Sequence, residues 1–452
     1  MLGKTVKNLA VKPGITIGTS FFVFIVIGTI LLMLPVATID GNGTSLIDAI
    51  FTSTSAICVT GLIVQDTAVY FSRFGHIVIL TLMQLGGLGI MTSYAFFSIA
   101  IGKRLLISQQ VAMKGVLDTG YGEIKKTVLF IVISTFVIEA IGAVVLAFHW
   151  SGEPFGDHVG DYVFYSIFHS ISAFCNAGFS LFSNSLINYS GDAVVSVTIG
   201  LLIVSGGLGF IVLSNLSGFL LFFSKRGKKR RVHLHTKIVL TMTGILIILG
   251  AILFYTFECK NTLDLFSVKD KVFASFFQSI TTRTAGFTTV DIGSLAAPTS
   301  LCFIFFMFIG GSSGSTAGGI KIGTFFVILA AVYNMFRGRE DVEAFERTIN
   351  RQTVRKAFSM ATISILTIVL FCVALLYTEN APFKVVIFEA FSAFGTVGLS
   401  AGLTPDLTGI GKILISVLIF MGRIGPLTLA LILGREIAER KIRFPEERIV
   451  IG

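Results

Sequence analysis

Four short stretches of small and polar residues end in glycine inside an otherwise apolar chain. They read FTSTSAICVTGL, FHSISAFCNAGF, FFQSITTRTAGF and FEAFSAFGTVGL, and their glycines are Gly61, Gly178, Gly286 and Gly398. A phenylalanine stands ten residues before each glycine, namely Phe51, Phe168, Phe276 and Phe388. Glycine tolerates backbone dihedrals that other residues avoid, and it has no Cβ to obstruct a ligand. The stretches can therefore present main-chain carbonyl oxygens, which replace the hydration shell of a small cation in selective pores.

The elements that carry these stretches are predicted to be membrane helices. The 452 residues are 54% hydrophobic and only 13% charged, with a mean hydropathy of +0.87. Soluble domains carry about 25% charged residues. Eight segments are apolar and long enough to cross a bilayer of about 30 Å. They are 15–37, 74–101, 127–149, 193–223, 237–257, 300–335 (interrupted), 357–378 and 409–433. The first run is too long for a signal peptide, so we expect no cleaved leader.

The glycine-ending stretches lie between alternate spans, at 48–60, 163–177, 272–285 and 384–397. Each is too short to cross the bilayer, which is typical of a re-entrant element. Extended backbone is tolerated at membrane depth only where it is buried in protein or lines a watery cavity. A helix that ends there points its partially negative end toward the cavity, which favours a cation. We therefore predict an all-α membrane protein whose four tandem span–pore helix–span repeats surround a pseudo-fourfold central pore.

Internal periodicity supports four repeats, at 1–105, 106–225, 226–338 and 339–452. The glycines are 117, 108 and 112 residues apart. Each is followed, 24 to 28 residues later, by a G-x-x-G motif, at Gly86–Gly89, Gly206–Gly209, Gly311–Gly314 and Gly422–Gly425. Close helix packing is an alternative explanation for the G-x-x-G pairs.

Basic residues concentrate in 1–16, 102–126, 225–237, 337–356 and the C-terminal tail, whereas the intervening connections are mostly acidic. The positive-inside rule then places both termini in the cytoplasm and lets every short stretch enter from outside. Because topology accounts for the net charge of +10, we expect no nucleic-acid partner. The five cysteines have no zinc-site spacing and predict no disulfide framework.

The sixth span contains GGSSGSTAGGIKIG, Gly310 to Gly323, with six glycines and four hydroxyl residues. A continuous helix would lose about 1 kcal/mol per glycine here, and no GK[ST] follows to make a phosphate-binding loop. Packing of small residues is one explanation, and a flexible loop that obstructs the pore is the one we favour. The predicted gate comprises Gly310, Gly311, Ser312, Ser313, Gly314, Ser315, Thr316, Ala317, Gly318, Gly319, Lys321 and Arg423. Ionisable residues inside spans are candidates for function, and Arg423 could raise an electrostatic barrier or tether the loop.

Arg283, three residues before Gly286, is predicted to brace its pore helix behind the filter rather than to touch ions. Glu139 and Glu389 are candidate partners for the buried arginines, and the sequence leaves the pairs open.

The repeated unit, with CVTG, CNAGF, RTAGF and GTVGLS, resembles the Trk/Ktr/HKT superfamily of potassium transporters over essentially the whole chain. Within it, the length and the single set of eight spans are most similar to the Ktr-type membrane subunits, the KtrB group. The resemblance implies a K+ selectivity filter made of Val59, Thr60, Gly61, Asn176, Ala177, Gly178, Thr284, Ala285, Gly286, Thr396, Val397 and Gly398. It also implies an intramembrane gating loop in the third repeat.

The same resemblance implies a bacterial cell-membrane protein that forms a homodimer, with the tail EERIVIG near the twofold axis. A cytosolic RCK-type ring (KtrA-like) that binds ATP or ADP would control the gate, and Na+ is a candidate activator. No cofactor is expected in this chain itself. Glycine at the first filter position, Gly61, implies selectivity for potassium over sodium.

Two other functions are weighed. A secondary active Na+/K+ symporter that works by alternating access also uses discontinuous helices, but four repeats that enter from one side favour a central pore. A membrane enzyme is disfavoured because the six histidines form no HExxH and no Ser/His/Asp set is recognisable.

Overall fold

The computed structural model describes residues 13–100, 124–152, 159–224 and 232–425. The predicted cytoplasmic segments at 1–12, 102–123 and 225–231, and the tail 426–452 with its predicted dimer contact, lie outside these residues. The described chain is mainly helical. Its helices are α1 (Pro13–Leu32), α2 (Leu46–Ile57), α3 (Thr67–Tyr70), α4 (Arg73–Leu88), α5 (Ile90–Ala100), α6 (Ile124–Trp150), α7 (Val159–Phe174), α8 (Ala193–Leu208), α9 (Phe210–Ser224), α10 (Leu234–Glu258), α11 (Val268–Thr281), α12 (Ala297–Phe308), α13 (Ile322–Phe336), α14 (Arg351–Thr378), α15 (Phe383–Gly395) and α16 (Gly409–Ile424), with short 3₁₀ turns at Pro35–Ala37, Ile187–Tyr189 and Thr404–Asp406.

The prediction of an all-α protein is wrong in one place. Strands β1 (Val342–Ala344) and β2 (Arg347–Ile349) form an antiparallel hairpin between α13 and α14. Its turn residues Phe345 and Glu346 have φ values of 51° and 61°. This two-residue connection lies in the left-handed region, whose twist matches that of paired strands.

Three described helices, α6, α10 and α14, are individually long and apolar enough to cross a membrane. A fourth crossing arises if α8 and the following helix count as one span, although they are bent by 100° at Gly209. The predicted second span (74–101) and fourth span (193–223) are therefore not continuous helices. The interruption predicted in the sixth span is present, because α12 ends at Phe308 and α13 begins at Ile322.

Glycine explains where the interrupted helices end. The last glycine of each G-x-x-G motif has a positive φ: 80° at Gly89, 83° at Gly209, 71° at Gly314 and 89° at Gly425. A left-handed residue terminates an α-helix, and glycine adopts that conformation without a Cβ penalty. Close helix packing, the explanation that the sequence favours for these motifs, holds at their first glycine in three repeats: a Cβ on Gly86, Gly206 or Gly422 would strike a carbonyl oxygen at the end of the short helix. Packing does not by itself explain a helix end at the last glycine.

Four short helices, α2, α7, α11 and α15, pack against the long helix that precedes each of them in its repeat. Each also packs against a helix of the preceding repeat: α4 contacts α7, α8 contacts α11, α12 contacts α15, and α16 contacts α2. The last contact joins the fourth repeat to the first. The four repeats therefore form a closed ring.

Hydroxyl and carboxylate side chains set the starts of several of these helices. Ser45 Oγ accepts a hydrogen bond from the backbone N–H of Asp48 at the start of α2, and Ser267 Oγ accepts one from Asp270 at the start of α11. Such caps satisfy backbone donors that a helix cannot satisfy internally.

Candidate functional site

Each short helix ends in the same unusual backbone conformation. Two residues before the glycine that ends each of the four stretches, a non-glycine residue has positive φ: Val59 (50°), Asn176 (57°), Thr284 (70°) and Thr396 (49°). The glycines follow with φ values of 90° at Gly61, 72° at Gly178, 77° at Gly286 and 90° at Gly398. Left-handed dihedrals are a genuine outlier for β-branched residues such as valine and threonine. Strain of this kind persists only where the surrounding structure over-determines it, and it is concentrated at functional sites.

The four glycines, which we call the ring glycines, meet one another around an axis. A Cβ built on Gly61 would lie 2.5 Å from the carbonyl oxygen of Ala177, and one on Gly178 would lie 2.9 Å from that of Ala285. A Cβ on Gly286 would lie 2.7 Å from the carbonyl oxygen of Val397, and one on Gly398 would strike that of Thr60. Each ring glycine thus abuts the carbonyl that precedes the next one, and the fourth closes on the first.

Hydroxyl groups hold the chain on the far side of the ring glycines. Ser55 Oγ donates to the carbonyl of Leu62 at 2.8 Å, Ser172 Oγ to Phe179 at 2.8 Å, and Thr281 Oγ1 to Phe287 at 2.7 Å. Ser392 occupies the equivalent position in the fourth repeat, but its buried hydroxyl has no hydrogen-bond partner among the described residues. The fourth filter segment is therefore held differently from the other three.

The third repeat is one residue shorter in this region than the ten-residue spacing from phenylalanine to glycine predicts. Its bracing hydroxyl, Thr281, lies five residues before Gly286, whereas Ser55 lies six before Gly61. The buried phenylalanine equivalent to Phe51 is consequently Phe277, which is 2% exposed, and not the predicted Phe276, which is 43% exposed. The buried phenylalanine therefore lies ten residues before the glycine in three repeats and nine before it in the third. The missing residue lies between Thr281 and Gly286, so the short helix itself keeps the same pattern.

In three repeats, a serine two residues before the bracing hydroxyl anchors the short helix to the long helix that precedes it. Ser53 Oγ donates to the carbonyl of Ile25 at 2.8 Å, Ser170 Oγ to Glu139 at 2.7 Å, and Ser279 Oγ to Ile247 at 2.7 Å. A glycine stands three residues after each acceptor, at Gly28, Gly142 and Gly250, and a Cβ there would collide with the serine. Sequence reasoning missed this pair, although a serine and a glycine recurring at fixed offsets were the available signal.

The predicted gate residues form an irregular connection between α12 and α13. Its ends are paired, because Gly310 N–H donates to Ile320 at 2.8 Å and Ile322 N–H donates to Gly311 at 3.0 Å. The centre docks on the end of α8: Ser312 N–H donates to Gly207 at 2.9 Å, and Phe210 N–H donates to Gly314 at 3.1 Å. Backbone contacts therefore dominate the attachment of this loop.

The same loop reaches the fourth filter segment. A Cβ on Gly318 would strike Thr396 Oγ1, and one on Gly319 would lie 3.3 Å from Gly395 Cα. Thr60, Thr316 and Thr396 each have a buried hydroxyl with no partner among the described residues. Unpaired buried hydroxyls are costly unless they serve a function or meet water or an ion.

Two cationic side chains fasten the loop through its carbonyl oxygens. Arg423 donates from Nη1 to Thr316 and from Nη2 to Gly86, the latter at 2.6 Å. Lys321 Nζ donates to the carbonyl of Ala317 at 2.5 Å. Arg423 thus links the fourth repeat to the first and to the loop of the third.

Three other buried charges, Glu139, Arg283 and Glu389, form no ion pair among the described residues, whereas Asp48 pairs with Lys412 at 2.7 Å. Glu139 accepts a hydrogen bond from Gln84 Nε2 at 3.2 Å and lies 3.8 Å from Cys175 Sγ, just before the second filter segment. Arg283 is 8% exposed, and its Nε has no partner. Its guanidinium borders a small cavity with Ile203 and Ile247. Neither Glu139 nor Glu389 is therefore the counterion of an arginine.

Side-chain ligands do not explain the site. In the part of the chain that the structure describes, no group of three or more His, Cys, Asp or Glu side chains could hold a metal ion. Among the described residues, the Asn176 amide hydrogen-bonds Thr284 Oγ1 at 3.3 Å and so joins two filter segments. The ring glycines bring main-chain carbonyl oxygen atoms close together, and these atoms are the candidate ligands of a bound ion.

Comparison with known proteins gives the family. Residues 6–440 match the family model for TrkH, a cation transport protein. The chain belongs to this family. It is therefore a multi-pass membrane transporter and not an enzyme. The chain is 39% identical to the Ktr system potassium uptake protein B of Bacillus subtilis, with 99% of each chain covered. It is 41% identical to the protein of the same name from Vibrio alginolyticus, covering 100% of this chain and 97% of that one.

Two further relatives extend the comparison. The potassium/sodium uptake protein NtpJ of Enterococcus hirae is 38% identical, with 98% of this chain and 97% of the relative covered. The crystal structure of the potassium transporter TrkH from Vibrio parahaemolyticus superposes with a TM-score of 0.70, covering 92% of this chain and 84% of that one at 18% identity. At that identity the superposition establishes a shared fold.

Proposed function

We propose that this chain is the potassium-translocating subunit of a bacterial K+ uptake system. The observation that carries the proposal is the closed ring of four glycines, each against the carbonyl that precedes the next. The names of the relatives, which are potassium or potassium/sodium uptake proteins from three bacteria, point to the same ion.

In this proposal the described helices belong to eight spans and four re-entrant pore helices around a central pathway. The filter comprises the carbonyl oxygens of the segments ending at the ring glycines. The filters contain no Asp or Glu, so a monovalent cation is favoured over calcium. The closed ring favours a central pore over a symporter with alternating access, because among the described residues each repeat contacts the next and the fourth contacts the first.

The loop between α12 and α13 is the gate. Support comes from its contact with Thr396 in the fourth filter segment and from its attachment through Arg423. A ligand that binds the open arrangement better than the closed one would shift the equilibrium between them. A cytosolic RCK-type ring with ATP or ADP would supply that bias, and Na+ would act as activator. The protein would lie in the cell membrane as a homodimer with both termini in the cytoplasm.

The test is growth at low potassium of a bacterial host that lacks its own uptake systems. The host would express this chain together with its cytosolic ring subunit. We expect rescue of growth and uptake of K+ that the empty vector does not support. Failure to rescue, with the chain shown to be folded and membrane-inserted, would exclude the potassium function.

A further inference from the structure

One position in each short helix is equivalent across the repeats, and in three of them its side chain hydrogen-bonds the chain that leaves the filter. It lies three residues before the bracing hydroxyl and is occupied by Thr52, His169, Gln278 and Glu389, all of them buried. Gln278 Nε2 donates to Thr289 Oγ1 at 3.1 Å. His169 Nε2 lies 3.0 Å from Ser180 Oγ and accepts from the N–H of Leu181 at 3.3 Å. The four positions, which we call the brace positions, are thus equivalent in place but different in chemistry.

Glu389 brings a carboxyl group to the brace position of the fourth repeat. It is fully buried. Its Oε1 accepts from the N–H of Leu403 at 3.2 Å, its Oε2 accepts from Thr404 Oγ1 at 3.0 Å, and Ser400 Oγ also donates to Oε1. Burial disfavours the ionised form of a carboxyl group, whereas hydrogen-bond donors such as these three favour it. None of its partners in the described chain is a cation, so no local positive charge neutralises the carboxylate when it is ionised.

The other brace positions carry no charge. Threonine and glutamine are neutral at any ordinary pH. His169 accepts at Nε2, and its Nδ1 lies 2.8 Å from the carbonyl of Tyr165, to which it donates. One accepting and one donating nitrogen define a neutral imidazole. Among the four brace positions, only Glu389 can carry a negative charge.

This charge lies close to the filter. Ser400, which donates to Glu389, follows Gly398 by two residues. Consecutive Cα atoms are 3.8 Å apart, so Ser400 Cα lies within about 8 Å of Gly398 Cα. At such distances a charge interacts with an ion through a protein medium that screens it less than water does.

We propose that Glu389 is a positioning residue that sets the apparent affinity for K+ at the filter entrance through its negative charge. The inference rests on the proposed potassium function. Hydrogen bonds at three of the brace positions fix the chain that leaves the filter segment, and the charge at the fourth repeat raises cation occupancy. The charge acts on affinity, because it attracts the ion before the ion passes the filter.

The test is a transfer of this charge between repeats. Glu389→Gln keeps a hydrogen-bonding side chain of the same length, since the hydroxyls of Ser400 and Thr404 can turn to meet an amide. We expect KM for K+ uptake to rise roughly 2- to 20-fold, from the Coulomb energy at about 10 Å, while kcat stays unchanged. Gln278→Glu alone should lower KM, and the double variant Glu389→Gln/Gln278→Glu should return KM toward the wild-type value.

Glu379→Gln is the matched control. That carboxylate is also buried, but it accepts from the N–H of Thr408 at 3.0 Å and holds the start of α16 rather than the chain after a filter segment. We expect KM to change less than in Glu389→Gln.

The inference would be overturned by an unchanged KM in both Glu389→Gln and Gln278→Glu, or by a rise in KM that Gln278→Glu does not reverse. The second result would indicate that only the local contact matters. Because Gln278→Glu alters an otherwise wild-type chain, a folding defect in Glu389→Gln would not prevent the test. Absence of K+ uptake by the wild-type chain would instead count against the proposed function.

Discussion

The four filter segments share one backbone conformation, whereas the four G-x-x-G motifs share only part of theirs. All four filter segments have the same pair of left-handed residues, with φ between 49° and 90°. The G-x-x-G motifs agree only in a positive φ at the last glycine. In the first, second and fourth repeats a helix ends there, at Leu88, Leu208 and Ile424, whereas in the third a connection runs from Ile309 to Lys321. Ion selection requires equivalent ligands around an axis, whereas one obstructing element is enough to close a pore.

The largest effect is expected from a Cβ at the ring, in Gly178→Ala. It would place a Cβ 2.9 Å from the carbonyl oxygen of Ala285 and 3.0 Å from Gly286 Cα. Neither atom belongs to a flexible side chain, so we expect K+ uptake to be lost. Uptake in whole cells and in proteoliposomes measures this.

Gly41→Ala is the matched control for backbone strain. Gly41 has φ of 70° against 72° for Gly178, but a Cβ there would meet nothing within 4 Å. Both variants bear a left-handed penalty of about 1–2 kcal/mol. Loss of uptake in both would mean that strain, rather than contact at the ring, is responsible.

A smaller effect, in the opposite direction, is expected from the asymmetric region. Deletion of 312–317 removes the contacts with Gly207 and Arg423, but it keeps Gly310, Gly311, Ile320 and Ile322, whose backbone hydrogen bonds pair the two ends of the loop. We expect flux without the cytosolic ring to rise at least roughly 5-fold, the lower end of typical coupling between sites. Arg423→Gln should raise it by less, since the backbone hydrogen bonds of Ser312 with Gly207 and of Phe210 with Gly314 still hold the loop.

Loss of flux in a folded deletion variant would contradict this prediction. It would show that the loop builds the pathway instead of obstructing it. Flux through proteoliposomes made with and without the ring subunit gives the comparison.

The smallest effect is expected where the short helices are anchored. Ser279→Ala removes the hydrogen bond to Ile247 and should lower stability by about 0.5–1.5 kcal/mol, with unchanged ion selectivity. Ser294→Ala, at an exposed serine that donates to Asp291, should cost less than about 0.5 kcal/mol. Unfolding of the detergent-solubilised protein measures both, and equal losses would deny Ser279 an anchoring role.

Much of this arrangement could be predicted from the sequence because it is repeated. The spacing of the ring glycines located the short helices, and the glycine-rich run located the break after Phe308. The break at Gly89 could not be distinguished from close packing, because both need a small residue. The one-residue deletion in the third repeat was hidden by two adjacent phenylalanines, Phe276 and Phe277, which only burial separates.

The partners of buried charges could not be predicted either. Arg423 donates to backbone carbonyls, and Glu389 accepts from hydroxyls and an N–H. Such partners have no signature in composition, since every residue carries a carbonyl. Opposite charges in a sequence suggest ion pairs, but the fold satisfies these groups with neutral atoms that are nearer.

The most direct test of the central claim, that the ring selects and the loop gates, is a reversal-potential measurement in lipid bilayers with opposed K+ and Na+ gradients. It would use the chain lacking 312–317, with and without Gly286→Ser. We predict that the deletion alone leaves K+ preferred over Na+, and that Gly286→Ser in the same background weakens the preference, since its Cβ would lie 2.7 Å from the carbonyl oxygen of Val397. Selectivity lost with the loop, or unchanged by Gly286→Ser, would contradict the account.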